Sequence, residues 1–406
     1  MKNFIALFLL LSPFYSFCQY TGTGSVTHGI ATTTATNLYS CTNGRVTNLG
    51  TITASDNSVW TVPAPVSYQN SSFPFASDLN NPCTGANYSN TATALAALNG
   101  SDIITIDSSG ELITAFIFAD NYFEMYINGV PVGKDNVTYT QFNSNIIRFK
   151  VNRPFTIAML LVDWEENLGI GTEANGGFFN HIGDGGMVAV FKDAADNIIA
   201  TTGSSWKAQT FYTAPIMDLT CPAEKGTTRL SNNCSTQDSN NGSNYYGLHW
   251  ALPNNWMDAN FNDAAWPQAS TYTNATVGVN NKPAYTNFPD IFDNANNDAE
   301  FIWSTNLILD NEVIVRYTVP GTTSLQEENN ANDKINFYPN PATSEIHLNA
   351  DLKELKNISI YNSLGEKVLE ENQYTSTISL ADLQTGLYCV QVAIRDSLLK
   401  QKLIVK

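Results

Sequence analysis

The stretch "ELITAFIFADNYFEMYINGVPVG", residues 111–133, decides the fold class. It holds two runs rich in β-branched and aromatic residues, 112–119 and 122–127. Asn128-Gly129 follows, the dipeptide favoured in a two-residue hairpin turn. Further out, "IIRFKV", "FTIAMLLVDW", "GMVAVFKDAADNIIATT", "AEFIWS" and "EVIVRYTV" continue the pattern. Residues 156–162 are apolar after the leading Thr156, which predicts a strand covered on both faces. No long segment has a 3.6-residue period; "ALAALNG", 94–100, is the one brief helical hint. Residues 19–100, rich in Thr, Asn and Ser, read as short strands and long loops. Regular strands punctuated by Gly and Asn predict an all-β sandwich.

Composition bounds the function. A chain of 406 residues holds two or three domains. Only 14% of it is charged, against roughly 25% in average domains, and Asn, Thr and Ser fill the gap. That surface suits extracellular β-proteins. The net charge is −17. Residues 19–334 carry 12 Lys/Arg against 29 Asp/Glu, while residues 335–406 carry seven against eight. An acidic surface repels phosphate backbones, so nucleic acid is excluded as a partner. Bound cations, neutral sugars or simple solubility fit it.

The N-terminus reads as a secretory signal peptide over 1–18. Lys2 supplies the charge, "FIALFLLL" the apolar run, and Ser16 and Cys18 the small residues of a cleavage site before Gln19. The run is shorter than the roughly 20 residues a membrane span needs, and no other segment qualifies. Five cysteines then remain. An oxidising exterior predicts pairing: Cys221 with Cys234 across a short Asn/Ser-rich loop, and Cys41 with Cys83. Cys389, in the apolar strand "GLYCVQVAI", is expected to be a buried free thiol. None of the spacings is that of a zinc site.

Residues 19–322 read as one cargo module, 323–334 as a polar linker ("TTSLQEENNANDK" has almost nothing apolar), and 335–406 as a second, small β unit. Its strands are "EIHLNA", "KNISIYNS", "EKVLEE", "TISL", "GLYCVQVAI" and "QKLIVK", evenly spaced by turns, which predicts a small Ig-like sandwich. Pro339 and Pro341 stiffen its entry and cannot donate to a ladder, so the first long strand must start after them. Gly365 and Gly386 are expected to supply positive φ before a strand.

This segment closely resembles the C-terminal sorting domain of type IX secretion system cargo, the route Bacteroidota use across their outer membrane. The resemblance is carried by "FYPNPATSEIHL", with Tyr338, Pro339, Asn340 and Pro341; by "ISIYNSLGEKV", with Gly365; by "ISLADLQTGLYCVQV", with Leu383, Gly386 and Tyr388; and by the closing "KQKLIVK". It implies export to the surface or beyond, with the secretion machinery at the outer membrane as partner. It also implies that these residues carry transport rather than the cargo's activity.

Residues from about 100 to 320 resemble galactose-binding-like jelly rolls. "ADNYFEMYINGVPVG" is similar to their "A-D-N-Y-x-E-x-Y-V-N-G" hairpin, "NFNDAAWPQA" to their "F-D-D-S-x-W-x-x-A" turn, and "AEFIWSTNLILDNEVIVRYTV" to their closing strands. Asn262 and Ala264 depart from the usual Asp and Ser, removing turn-capping oxygens, while Phe261 and Trp266 remain. These motifs are structural in such modules and hand over no ligand site. Modules of this kind often bind glycans, which is analogy and not a site.

Candidate site chemistry is spread thinly. Trp206, Tyr212 and Trp250 lie in loop-rich sequence and are the candidates for stacking on sugar rings, Trp206 foremost; the alternative is that they pack inside. Asp163 and Glu165 in "VDWEEN", with Asp184 in "HIGDGGM", are the candidate oxygen ligands. The cation such oxygens would take is Ca²⁺, although no EF-hand spacing is present and solvated turns explain such acids equally. Alternation along a strand would also let Asp163 and Glu165 act as an acid/base pair. His28, His181, His249 and His347 are scattered, and no Gly-x-Ser-x-Gly or His-Glu-x-x-His occurs. The reading is therefore a type IX-exported protein whose cargo module binds carbohydrate or mediates adhesion without catalysis. A glycoside hydrolase or lyase of an unrecognised family, and a structural surface protein, are the alternatives.

Overall fold

A computed structural model describes residues 20–41, 45, 47–138, 142–238, 241–294, 299–321, 336–349, 355–362, 365–371, 377–394 and 397–406. The expected signal peptide and polar linker lie outside the described residues. The chain divides into two compact units, Met1–Gly321 and Thr322–Lys406.

The larger unit stacks two sheets. The first has seven strands in the order Ser25–His28, Tyr246–His249, Lys207–Ile216, Asp310–Val319, Phe155–Val162, Tyr122–Ile127 and Val130–Lys134. The second has the path Ser270–Tyr272, Phe301–Trp303, Gly186–Asp193, Glu111–Asp120, Ser144–Val151, Ser77–Asn81 and Ala86–Asn87. Two short strands, Ile103–Thr105 and Ile198–Thr201, pair off this path. The opening stretch supplies one strand to each sheet and then turns at Asn128-Gly129, whose φ values of 50° and 82° are both left-handed as that hairpin turn requires.

Side-chain alternation explains the layering. Ile157, Met159 and Leu161 face the other sheet, while Ala158, Leu160 and Val162 face away into a second core. All eight residues of Phe155–Val162 are buried, as the unbroken apolar run predicts. Phe155 meets Phe149 of the facing sheet edge-on at 5.8 Å. Register puts Phe149 opposite Ile113, so Ile113, Ala115 and Ile117 line the inner face. Phe118 points out, against the rings of Tyr285, Phe142 and Phe301.

Neither sheet therefore leaves a face to water. The outer face of the seven-stranded sheet is covered by Tyr68, Phe73, Trp164, Trp256 and Trp266. Two of these come from the loop-rich N-terminal part, which also contributes Ser25–His28 to one sheet and Ser77–Asn81 to the other. That part is thus built into the sandwich. The disulfides Cys41–Cys83 and Cys221–Cys234 both form, with Cα atoms 5.2 and 5.0 Å apart, and staple its covering loops.

Two of the stretches quoted from the sequence meet. Arg316, 1% exposed, sends Nε to Asp263 at 2.8 Å, Nη2 to the Asp258 carbonyl at 3.1 Å and Nη1 to the Trp256 carbonyl. Phe261 lies edge-on to Trp266 at 5.2 Å. The "NFNDAAW" turn is clamped onto the closing strand by a buried guanidinium.

The smaller unit has a three-stranded sheet, Asn336–Tyr338, Glu345–Asn349 and Thr377–Ser379, and a four-stranded one ordered Lys367–Glu371, Leu355–Tyr361, Gly386–Ile394 and Ser397–Val405. Phe337, Ile346, Leu348, Ile358, Ile360, Val390, Val392 and Leu403 fill the core between them. Two expectations need correcting. Cys389 is free but only half-buried, because its strand turns that side chain away from the core that holds Tyr388 and Val390. Gly365 has φ +82° as expected, but Gly386 is not left-handed, and a Cβ there would only touch the Tyr388 ring at 3.6 Å.

Candidate functional site

The three acids singled out from the sequence come together, joined by one that was missed. Asp163 follows the buried strand Phe155–Val162, and its amide donates to the Asn311 carbonyl at 2.9 Å. Asp120 ends the strand Glu111–Asp120, opposite Gly186. Glu165 packs against Gly183, where any Cβ would collide with Oε1. Asp184 follows in the same turn. Asp120, Asp163 and Glu165 are 3%, 0% and 3% exposed. The signal for Asp120 was present in "ADNY", but reads there as a hairpin motif.

Neither Asp163 oxygen accepts a hydrogen bond from a donor group. Its close neighbour is the Glu165 carboxyl, which can donate only when protonated. Burial, with the charges of Glu165 and Asp120, pushes the Asp163 carboxyl well above its usual range. Asp120 is raised by burial and by Asp184 and Glu165. Burial takes Glu165 up to about 7, against the lowering contact with Asp163 and the charge of Arg45. Asp184 rises to about 6 by burial, held back by His181 and Lys282. Among the described residues, no group of three or more His, Cys, Asp or Glu converges as a metal shell would.

Above this cluster rises a two-stranded ribbon, Thr172–Asn175 with Phe178–Ile182. Gly176 and Gly177 form its tip, with φ +56° and +92°; a residue with a Cβ would be strained at either. The ribbon is braced from the side. Asn167 Nδ2 donates to the Phe179 carbonyl at 2.6 Å, the Ala174 amide donates to Glu166 at 2.5 Å, and Arg45 pairs with Glu166 and Glu173. His181 Nδ1 lies 2.7 Å from Asp238. The tip carries Phe178 and Phe179, 61% and 79% exposed. The sequence signal was "NGGFFN": a Gly-Gly turn followed at once by two aromatics.

The expected stacking residues are placed differently. Trp206 is fully buried, its ring stacked on Tyr317 at 5.2 Å and on Phe191 at 6.1 Å, with Nε1 donating to the Thr201 carbonyl at 2.8 Å. It has no free face for a sugar. Tyr212 is buried against His249 at 4.4 Å, whose other neighbour is Trp60 at 5.1 Å. Trp250 donates to Glu224 at 2.9 Å beneath the Arg229 guanidinium. Internal packing describes all three: Trp206 fills the core between the two sheets, Tyr212 packs in a small cluster with Ala31, Val62 and Ala214, and Trp250 helps cover the outer face of the seven-stranded sheet.

In the smaller unit, the Tyr-Pro-Asn-Pro residues clasp the last strand. Asn340 Nδ2 donates to the Lys402 carbonyl at 2.7 Å, and its Oδ1 accepts from the Ile404 amide at 2.9 Å. Ala342 extends the pairing, its amide donating to Ile404 and its carbonyl accepting from Lys406, both at 2.8 Å. Tyr388 donates to the Gln384 carbonyl at 2.7 Å, and Leu383 packs on the core. Tyr338 is 55% exposed.

A family model described as a secretion system C-terminal sorting domain matches residues 336–406. No curated protein matches the chain. Among solved structures, a Faecalibacterium prausnitzii beta-glucuronidase is similar at 8% identity over 75% of this chain and 36% of that one, with a TM-score of 0.15. This chain spans about a third of that enzyme, and at such a score neither fold nor activity transfers. Among the described residues, no helix is long and apolar enough to cross a membrane. Residues 336–406 are a type IX secretion system C-terminal sorting domain, and the protein is a cargo exported to the cell surface or the extracellular space.

Proposed function

We propose that the larger unit is a galactose-binding-like jelly-roll module that binds carbohydrate without catalysis, at the ribbon tip made by Phe178 and Phe179. The exposure of those two rings carries the reading. Among the unit's described residues they are the two most exposed aromatic side chains, on a tip that Asn167, Glu166 and Arg45 hold in place. Exposed aromatic faces lose little water structure and gain stacking area against the CH faces of sugars. A neutral polysaccharide also suits a surface whose carboxylates outnumber its cations.

The catalytic alternative fits less well. Glycosidase carboxyl pairs stand about 5–5.5 Å apart in retaining enzymes and roughly 6.5–9.5 Å apart in inverting ones. Asp163 and Glu165 are in direct contact, and Asp163 has no surface for a substrate to reach. The acids most perturbed in this region are therefore assigned to the interior of the fold. A glycan array on the whole exported protein tests the proposal. Binding to a defined glycan class, lost in the Phe178→Ala/Phe179→Ala double variant, supports it. Turnover of a glycan that disappears with Asp163→Asn in a folded protein would replace it with the hydrolase reading.

A further inference from the structure

The nine-stranded sheet ends in a groove away from the ribbon tip. Asn80, Pro82, Gly85, Asn87, Phe142 and Lys282 line it, with a cavity volume of about 660 Å³, within the few hundred to a thousand Å³ typical of ligand sites. One wall is Ala86–Asn87, the terminal strand of the sheet. The other is the turn that opens the short helix Pro283–Thr286.

Three features of this groove are chemical. First, Lys282 holds its Nζ 4.5 Å from the centroid of the Phe142 ring. Phe142 is itself stacked on buried Phe118 at 5.7 Å and 11°, so the ring is a fixed support for the ammonium. Second, that ammonium has no ion pair among the described residues. Arg45, Arg153, Lys192 and Arg316 each pair with a carboxylate, in a chain with 37 acids against 20 Lys and Arg. Lys282 does act on Asp120 and Asp184, whose carboxyls it draws down against burial; neither comes within ion-pair reach. Third, Asn80 Nδ2 donates to Asn87 Oδ1 at 2.9 Å. That leaves an acceptor, Asn80 Oδ1, and a donor, Asn87 Nδ2, for a guest. Adjacent donor and acceptor are what a sugar hydroxyl satisfies.

We propose that this groove is a second saccharide subsite, selective for an anionic sugar, with Lys282 taking the carboxylate or sulfate and the Asn80–Asn87 pair taking a neighbouring hydroxyl. It rests on the reading of this unit as carbohydrate-binding, but on none of the ribbon residues. Phe142 is a positioning residue, acting through the ammonium it supports. The rest of the acidic surface repels polyanions, so selectivity depends on the cation held in this groove.

The test is titration calorimetry of the whole protein with polygalacturonate, dextran sulfate and neutral laminarin, at low and physiological salt. Wild type is expected to bind at least one polyanion, more weakly as salt rises. Lys282→Gln should weaken that binding at least about tenfold, the scale of a hydrogen bond to a charged group. Lys282→Arg should retain most of it, with melting temperatures unchanged in both. Binding of polygalacturonate alone identifies a carboxylate subsite; binding of both polyanions identifies a general anion subsite. Polyanion binding that Lys282→Gln leaves intact overturns the assignment. Laminarin binding without polyanion binding also overturns it while leaving the ribbon proposal standing, and no binding by any of the three overturns this subsite and leaves the ribbon proposal to the glycan array.

Discussion

Phe178 and Phe179 are adjacent on one strand and face opposite ways, so a single narrow ribbon shows an exposed aromatic ring on each side of its tip. The arrangement costs apolar exposure and adds nothing to folding, which is why it is assigned to binding. Replacing either ring with Ala should leave stability within about 0.5 kcal/mol, the range of ordinary surface substitutions. Thermal melting of the two variants checks this, and the same variants should lose glycan binding.

The buried acids make stability fall as pH rises. Glu165 moves from 4.5 up to about 7 and Asp184 from 3.8 up to about 6, with Asp120 and Asp163 raised alongside them. Asp135 and Glu312, also buried, reach about 8. The folded state therefore holds protons that the unfolded chain releases near pH 4. The stability these groups contribute is complete below about pH 4 and is lost as pH rises through about 6 to 8. His249 acts in the opposite sense, since burial lowers it to about 3 and the unfolded chain gains its proton near 6.5. These acids, joined by Glu124 and by Asp310 at about 6, outweigh one imidazole. The larger unit's melting transition should lie higher at pH 5.5 than at pH 8.5, and Asp163→Asn should reduce that difference by raising the melting temperature at pH 8.5.

Arg316 joins the closing strand to the "NFNDAAW" turn through Asp263 and two backbone carbonyls. Arg316→Leu strands those carbonyls and the carboxylate together. Breaking one partner of such a buried pair costs about 3–5 kcal/mol. Denaturant unfolding should show a loss of that order. Asp263→Asn should cost less, because the two carbonyls still satisfy the guanidinium and Asp263 is partly exposed.

Asn340 makes two hydrogen bonds to the strand Ser397–Val405 that no apolar residue can replace. At about 1 kcal/mol each, Asn340→Ala should destabilise the sorting domain by about 2 kcal/mol. If the folded clasp is what the export machinery reads, the variant should accumulate in the periplasm. Fractionation of cells expressing it measures the shift.

The sheets were legible because strand alternation is local. The run 157–162 declared its double burial by having no polar position, and Asn128-Gly129 declared its turn. The sorting domain was legible because its turn and entry residues sit in fixed order. The site was legible only in part. Asp163, Glu165 and Asp184 are brought together because the end of one strand meets a Gly-rich turn, but their burial depends on cover from both flanks, which no local pattern encodes. Trp206 failed as an exposed platform because its ring partners, Phe191 and Tyr317, arrive from strands of two different sheets. The ribbon at 172–182 was passed over because strands of four and five residues around Gly-Gly carry almost no periodicity.

The most direct measurement is glycan binding by the whole exported protein, wild type beside Phe178→Ala/Phe179→Ala, with melting curves confirming that both are folded. The account predicts a specific glycan class bound by wild type and at least a tenfold loss in the variant. Equal binding by the two folded proteins, or no glycan bound by either, would contradict it.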